Sequence, residues 1–187
     1  MPRLFVALRP PAAIRAALAS VMDGVAVARW QDDDQLHLTV RFLGDLDRRA
    51  TEDVVAALGQ VTTPALQARL AGVGAFETGG RITTLWAGLA PREPLAALHR
   101  KVERGLILAG VAPDRRAYLP HVTLARLSRG AGLDPAIGRW RADNAALTSA
   151  PFALDRLILF ESTLGREGAR YDPVAIWPLA PGRPPVD

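Results

Sequence analysis

Apolar residues recur along the first part of the chain in short runs and at helical spacing, separated by proline, glycine and charged residues. An uninterrupted apolar run indicates a buried strand, and apolar positions three or four residues apart indicate a helix with one buried face. The elements predicted here are a strand at residues 3–9, a helix from Pro11 to about Met22, a strand at Leu36–Leu43 and a helix at Ala50–Gly59 capped by Thr51.

From Leu66 onward, apolar and small residues alternate with other residues, which is the period of a strand with one buried face. A second such run begins at Ile82, after Gly79 and Gly80, so a hairpin or a meander is predicted there. The later elements predicted are a helix at Pro94–Ala109, a strand at His121–Leu127, a helix at Pro135–Ala142, and strands at Phe152–Phe160 and Tyr171–Trp177.

The same order of elements occurs twice along the chain. A strand followed by a helix at Val6 is repeated at Ala87, and the strand that begins at His37 is repeated at His121. The spacing between the two copies is nearly the same for both elements. This predicts two similar α+β halves related by a pseudo-two-fold axis, within one domain that spans residues 1–177.

Composition narrows the class of protein. The chain has 187 residues, of which 49% are hydrophobic and 22% charged, so it can bury a substantial core. It contains no cysteine, which excludes disulfides, iron–sulfur sites and thiol catalysis. The apolar N-terminal stretch is too short for a signal peptide, and no segment approaches the roughly 20 apolar residues of a membrane span. We therefore expect a cytoplasmic protein with no membrane partner.

Charge permits an anionic partner without requiring one. The 23 basic residues exceed the 19 acidic residues by four, and Lys101 is the only lysine among them. Because the guanidinium group stays charged and its planar fork matches phosphate, this arginine-rich composition is compatible with a phosphate-bearing ligand. Residues 178–187 are rich in proline and are predicted to form a loose C-terminal tail.

Two of the three histidines open the same short motif. His37 precedes Thr39, and His121 precedes Thr123, with one apolar residue between the members of each pair. Because side chains alternate along a strand, the histidine and the threonine of each motif project from one face, about 6.6 Å apart. The apolar residues predicted to anchor the opposite face in the core are Leu38, Val40, Phe42, Val122 and Leu124.

Two such strands facing each other across a cleft would bring two imidazoles and two hydroxyls together. Imidazoles titrate near neutral pH, and hydroxyls donate hydrogen bonds to phosphate oxygens. The set suits in-line displacement at a phosphodiester, in which one histidine deprotonates the nucleophile and the other protonates the leaving oxygen. Arg41 follows Thr39 on the same predicted face and could bind the phosphate. Arg126 has odd spacing from His121, so it would need twist or a bulge to face the site.

The paired motif, with one copy in each half, resembles the 2H phosphoesterase superfamily. Its flanks, HLTVRFLGD and LPHVTLARL, resemble those of the bacterial RNA 2′,3′-cyclic phosphodiesterases, historically called 2′-5′ RNA ligases. The resemblance includes the N-terminal segment LFVALRPP and extends to about residue 177. It implies a bilobal α+β fold in which two antiparallel sheets with flanking helices, related by a pseudo-two-fold axis, line a central cleft.

The resemblance also implies an activity. Members of the family hydrolyse 2′,3′-cyclic phosphates, at RNA ends or in small cyclic nucleotides, to 2′-phosphates without a metal or other cofactor, and no obligate protein partner is expected. The first-motif histidine of the family is the proton donor and the second is the proton acceptor, which implies these roles for His37 and His121. Thr39 and Thr123 match the threonines that hold the phosphate. Leu119 stands where many relatives have a polar or basic residue.

Three alternatives remain open. The same histidines could join RNA ends reversibly if a 5′-hydroxyl, rather than water, supplied the nucleophile. A nucleotide- or RNA-binding module without turnover would keep the same cleft. A metal hydrolase is disfavoured, because two histidines without an obvious third ligand make a poor zinc site.

The remaining candidates have simpler interpretations. His99 lies among charged neighbours in a predicted helix and is interpreted as a surface residue. The carboxylates of residues 32–34 resemble a metal-binding run, but consecutive carboxylates in a turn are usually solvated. The tryptophans that could stack a base, though most are interpreted as packing residues, are Trp30, Trp86, Trp140 and Trp177.

Overall fold

The computed structural model describes residues 3–128, 130–165 and 168–180, over which the chain forms nine β-strands, four α-helices and one short 3₁₀ helix. The strands are β1 (Arg3–Leu8), β2 (Ala28–Trp30), β3 (Leu38–Asp45), β4 (Leu66–Thr78), β5 (Arg81–Ala90), β6 (His121–Leu127), β7 (Phe152–Leu154), β8 (Arg156–Gly165) and β9 (Gly168–Pro178). The helices are α1 (Ala12–Ala19), α2 (Arg48–Gly59), α3 (Arg92–Leu108) and α4 (Pro135–Asp143), and the 3₁₀ helix is Asp33–Gln35.

These strands form one antiparallel sheet in the order β7-β4-β5-β6-β3-β1-β8-β9, with β2 also paired to β6. At the centre, β3 and β6 pair at Leu38 and Val122, and both side chains are fully buried. Two four-stranded regions are thus joined edge to edge at the strands that contain the two histidine motifs. The α+β class is confirmed, and the two antiparallel sheets predicted from the sequence are continuous at this junction.

The order of elements repeats as the sequence predicts. The units β1-α1-β3-α2 and β5-α3-β6-α4 are equivalent, and a later strand from each crosses to the other half. Strand β4 follows α2 and pairs with β5, whereas β8, which comes after α4 and the short strand β7, pairs with β1. Each half is therefore completed by a strand that comes after the last helix of the other half.

The helices bury their apolar stripes against the sheet. Buried residues of all four helices, such as Leu18, Val54, Leu98 and Ile137, belong to one hydrophobic cluster with strand residues of both halves. A smaller cluster lies on the other face of β1 and β8 and consists of Phe5, Ala7, Ile158 and Phe160. The two halves therefore share one hydrophobic core. The side chains of the histidine motifs lie on the opposite face of the sheet.

Some element boundaries differ from the predicted ones because capping depends on a single side chain. Helix α2 begins at Arg48 rather than Ala50, since the Asp47 carboxylate accepts a hydrogen bond from the Ala50 N–H and caps the helix. Thr51 is not the cap: it lies in the first turn, and its hydroxyl donates to the carbonyl of Asp47. Strand β2 was not predicted, and the predicted strand Phe152–Phe160 is divided at Asp155 into β7 and β8.

The predicted tail begins too early. Pro178 is the last residue of β9, and the side chain of Leu179 is buried. The Leu179 N–H donates to the carbonyl of Asp155, and the Ala180 N–H donates to that of Thr63. Residues 178–180 are therefore held against the body of the protein, and the rest of the predicted tail, residues 181–187, lies outside the described residues.

Candidate active site

The two histidine motifs lie side by side on neighbouring antiparallel strands. Leu38 of the first motif pairs directly with Val122 of the second. Extending the antiparallel register by one residue in each direction sets Thr39 opposite His121, and His37 opposite the threonine of the second motif. Because Leu38 and Val122 enter the core, the side chains of the flanking histidines and threonines project from the opposite face. The structure thus brings the four motif side chains together.

His37 is held on both ring nitrogens and enclosed by aromatic rings. Its Nδ1 lies 2.7 Å from the carbonyl oxygen of Gln35, and its Nε2 lies 3.1 Å from the Thr39 hydroxyl oxygen. A carbonyl only accepts, so Nδ1 carries the proton in the neutral ring. The ring centroids of Phe5 and Tyr171 lie 4.9 and 5.3 Å from that of His37. Burial in this enclosure lowers the pKa of His37 to about 4.

His121 has an equivalent environment in the second half. Its Nδ1 lies 2.7 Å from the carbonyl oxygen of Leu119, again two residues earlier, which leaves Nε2 as the acceptor of the neutral ring. Phe76 packs edge-on against the imidazole at 4.8 Å, and Trp86 lies 6.1 Å away, between ring centroids. Burial lowers the pKa of His121, partly offset by the hydrogen bond to Leu119.

A bulge in β6 turns Arg126 towards the histidines. In the pairing of β5 with β6, Thr123 is opposite Trp86, but Ala125 is opposite the next residue, Leu85, so Leu124 is an extra residue. Arg126 consequently projects from the same face as Thr123. Its positive charge lowers the pKa of both His37 and His121, which places Arg126 within electrostatic range of both rings.

The prediction that Arg41 faces the phosphate is wrong, because β3 has a bulge at the equivalent position. Val40 is the extra residue, and Arg41 pairs with Val6, whose side chain lies in the core beneath the helices. The Arg41 side chain is 8% exposed and forms an ion pair with Glu103 of α3. Its guanidinium therefore lies on the face of the sheet opposite the histidines.

The same bulge corrects the prediction for Phe42. Instead of anchoring the core, Phe42 pairs with Phe5 on the histidine face, where it is 48% exposed. The two rings are 5.8 Å apart. The aromatic side chains around the histidines were not predicted as part of the site, except that Trp86 was one of four tryptophans considered as able to stack a base. Period-two alternation in β1 could have placed Phe5 on this face, opposite Leu4 and Val6. Phe76 could not be placed in this way, because the register of β4 shifts between Leu70 and Val73 and reverses the alternation.

The other candidates lie away from the motif side chains. His99 stacks on Tyr118 with the ring centroids 4.2 Å apart, and Trp140 donates through its indole N–H to the carbonyl of Val21. Asp33 bonds to two arginines, Arg9 and Arg15. The carboxylate run thus serves as an ion-pair partner before the first motif.

Within residues 3–128, 130–165 and 168–180, no group of three histidine, aspartate or glutamate side chains is arranged to hold a metal ion. None of the helices described above combines the length and the hydropathy needed to cross a membrane.

Comparison with known proteins identifies the family of the chain. A family model described as the 2′-5′ RNA ligase superfamily matches residues 10–166. The match spans most of the chain, which therefore belongs to that superfamily, as the motifs and their flanks indicated.

Individual relatives cover most of the chain as well. A protein of Aeropyrum pernix named RNA 2′,3′-cyclic phosphodiesterase is 28% identical over 159 residues, which cover 82% of this chain and 90% of the relative. A protein of Thermus thermophilus with the same name is 33% identical over 136 residues, covering 66% and 68%. A crystal structure of Escherichia coli LigT complexed with 3′-AMP superimposes with a TM-score of 0.75 at 25% identity, covering 96% of this chain and 99% of that one.

Proposed function

We propose that this protein hydrolyses 2′,3′-cyclic phosphates, at RNA ends or in small nucleotides, to 2′-phosphates. The observation that carries the proposal is the pairing of the two motifs about Leu38 and Val122, which sets each histidine opposite the threonine of the other strand. The relatives named RNA 2′,3′-cyclic phosphodiesterase support the same reaction.

The geometry supports separate acid and base roles. Each imidazole donates through Nδ1 to a backbone carbonyl, so Nε2 is the nitrogen available for proton transfer. His121 accepts a proton from the attacking water as the new P–O bond forms. His37 protonates the 3′-oxygen as its bond to phosphorus breaks. The hydroxyls of Thr39 and Thr123, with the Arg126 guanidinium, donate hydrogen bonds to the phosphate oxygens.

Substrate binding and protonation are coupled in this proposal. Burial keeps the pKa of His37 at about 4 and lowers that of His121, so both rings are mostly neutral at pH 7 without substrate. The cyclic phosphate is an anion, and an anion beside an imidazole favours the protonated ring. Because kcat/KM reports the free enzyme, we expect its bell-shaped profile to peak between pH 4 and 6.5. The two limbs of this pH profile report apparent pKa values of the coupled histidine pair and not of either ring alone.

The direct test is incubation with a nucleoside 2′,3′-cyclic phosphate, with the product identified by phosphorus NMR against both monophosphate isomers. A 2′-phosphate formed in proportion to enzyme supports the proposal. A 3′-phosphate would reverse the orientation of the bound nucleotide, and binding without any product would identify a non-catalytic module. Excess EDTA should leave the rate unchanged, whereas inhibition reversed by zinc, magnesium or manganese would make the histidines metal ligands.

Reversible ligation is a second candidate, favoured by the match to the 2′-5′ RNA ligase superfamily. In ligation, a 5′-hydroxyl takes the place of water. His121 accepts its proton as the new P–O bond forms, and His37 protonates the 3′-oxygen as its bond to phosphorus breaks. Incubating one RNA that ends in a 2′,3′-cyclic phosphate with another that begins with a 5′-hydroxyl tests this reaction. A joined product that resists 3′-5′-specific nucleases would show that both nucleophiles enter the site.

A further inference from the structure

We propose that Arg41 is a positioning residue, which orients His121 by tying the first motif strand to the segment that leads into the second. The inference rests on the proposed role of His121 as proton acceptor. Arg41 and His121 lie on opposite faces of the sheet, so the effect is transmitted through the chain between α3 and β6 rather than by contact with substrate.

The guanidinium of Arg41 joins three parts of the molecule. Its Nε donates to a carboxylate oxygen of Glu103 at 2.6 Å, which links β3 to α3. One terminal nitrogen donates to the carbonyl of Ala112 at 2.6 Å, and the other donates to the carbonyl of Phe42. The second of these nitrogens also lies 3.8 Å from the carboxylate of Asp114. Each nitrogen of this nearly buried guanidinium thus donates to a backbone or carboxylate oxygen.

Glu103 extends this tie to the segment before the second motif. Its second carboxylate oxygen accepts a hydrogen bond from the Asp114 N–H at 2.7 Å. Asp114 in turn accepts from the Arg116 N–H at 3.0 Å, and its pKa is held below the usual range by the Arg116 side chain. Residues 112–116 are therefore fixed from the side of the sheet on which Arg41 lies.

The fixed segment continues directly to His121. Tyr118 stacks on His99 of α3, and its hydroxyl lies 3.4 Å from the carbonyl oxygen of Thr39. The next residue, Leu119, supplies the carbonyl that binds Nδ1 of His121. Since β3 and β6 share only the Leu38 pair among the described residues, backbone pairing alone gives the two motifs little common support. The hydrogen bonds and ion pairs of Arg41 provide the additional link between the two motif strands.

In the other half, the residue equivalent to Arg41 is Ala125, so a bulged strand of this kind does not need a charged residue at that position. Ala125 follows the second motif histidine at the same spacing at which Arg41 follows the first. It is completely buried and also follows a bulge. The segment before His37 is tied differently, through Arg9 and Arg15 to the carboxylate of Asp33. Arg41 is therefore explained by the segment it holds rather than by the folding of β3.

The test compares Arg41→Met with Arg41→Lys and with the control Arg48→Met, which removes an arginine from an exposed ion pair on α2. We expect Arg41→Met to lower kcat by about tenfold to a hundredfold, because small misplacement of a catalytic group has costs of this order, with little change in KM. Arg41→Lys should recover part of this loss, and the control should match the unsubstituted protein. A phosphate ligand would instead raise KM.

Nitrogen-15 NMR of the imidazoles gives a readout that does not depend on turnover. In the unsubstituted protein, His121 should be the Nδ1–H tautomer. Arg41→Met should produce a mixture of the two tautomers. It should also lower the pKa of His121, because the hydrogen bond to Leu119 raises that pKa. If the protein lacks phosphodiesterase activity, the proposed function fails while this measurement still decides the role of Arg41. An unchanged tautomer and pKa in both Arg41 variants would overturn the inference. If Arg41→Met does not fold, the tautomer and pKa of His121 are compared between Arg41→Lys and the unsubstituted protein. A change in either supports the inference, and no change in both overturns it.

Discussion

Strands β3 and β6 contain the same motif and the same bulge but present different side chains to the site. Each bulge follows the motif threonine, so the residue three positions after that threonine faces the histidines. In β3 this residue is Phe42, and in β6 it is Arg126. The residues turned into the core are Arg41 and Ala125. The two strands share the same backbone arrangement, but only β6 places a charged side chain on the histidine face.

This difference separates two parts of the proposed chemistry. Acid–base catalysis needs two titratable groups, and the repeated motif supplies one from each half. In the proposed site, the guanidinium that binds the anion is that of Arg126, which comes from one half. The other half presents the exposed ring of Phe42 beside Phe5 instead, so a phosphate bound as proposed would meet different surfaces on its two sides. We therefore expect this nearly symmetric fold to bind an asymmetric nucleotide in one orientation.

The two histidines also differ in burial. His37 lies among Phe5, Phe160 and Tyr171, and burial lowers its pKa to about 4. His121 contacts the rings of Phe76 and Trp86 in a less enclosed position, and burial lowers its pKa as well.

The largest effect is expected from the histidines themselves. His37→Ala and His121→Ala should each lower kcat by about 10²- to 10⁴-fold, because each variant lacks one member of the acid–base pair. Steady-state rates on a nucleoside 2′,3′-cyclic phosphate measure the loss, and circular dichroism checks that the fold is retained. Losses below about tenfold in both variants would contradict the assignment of the pair.

The second prediction concerns stability and separates the two histidines. Between pH 6.5 and about 4, the unfolded chain binds a proton at His37 while the folded protein does not, so the free energy of unfolding should fall as pH falls. His37 should contribute about 3 kcal/mol to this loss. Urea unfolding at pH 7, 5.5 and 4 measures it. His37→Leu should flatten the dependence more than His121→Leu, and equal slopes in the two variants would contradict the difference in burial.

The third prediction tests the asymmetry of the bulges. Arg126→Met should lower kcat/KM through loss of about 1.5–3 kcal/mol of charged hydrogen bonding to the phosphate. It should also raise the pKa of both histidines, since the Arg126 charge lowers both. The matched control is Phe42→Met, at the equivalent position of β3. Inhibition by inorganic phosphate compares the two, and equal weakening by both substitutions would remove the proposed asymmetry.

The smallest effects are expected from the threonines. Thr39→Val and Thr123→Val should each lower kcat/KM by about 1–3 kcal/mol, because each leaves a phosphate oxygen short of one donor. The loss should be greater for Thr39, whose hydroxyl oxygen also lies 3.1 Å from His37 Nε2. Serine at either position keeps the hydroxyl and should restore most of the rate. A threonine variant as impaired as the histidine variants would indicate a role beyond holding phosphate.

Periodicity predicted the elements well, because strands and helices bury their apolar faces at different spacings. The repeated motif likewise predicted that the histidine and the threonine of each copy share a face, since residues two apart on a regular strand do. A bulge breaks that rule within one residue. Its position depends on the register with a neighbouring strand, which nothing in the local sequence encodes. Arg41 and Phe42 were therefore assigned to the wrong faces, although the possibility of a bulge before Arg126 was recognised.

The sequence also could not determine which of two nearby residues with similar chemistry takes a given structural role. Asp47 and Thr51 are both good helix caps, and the structure has Asp47 in this role, with its carboxylate bonded to the Ala50 N–H. Leu179 shows the same dependence on tertiary contact, because proline-rich surroundings suggested a loose end while its side chain is buried.

The crossing of β4 and β8 between the halves constrains how the chain reaches its final form during synthesis. Strand β1 (Arg3–Leu8) leaves the ribosome long before its partner β8, which begins only at Arg156. Until that partner emerges, β1 has an open edge on one side, and closing such a distant pair is slow. The first half cannot be completed as an independent folding unit, so a nascent chain stalled before Arg156 would expose an unpaired strand to other chains.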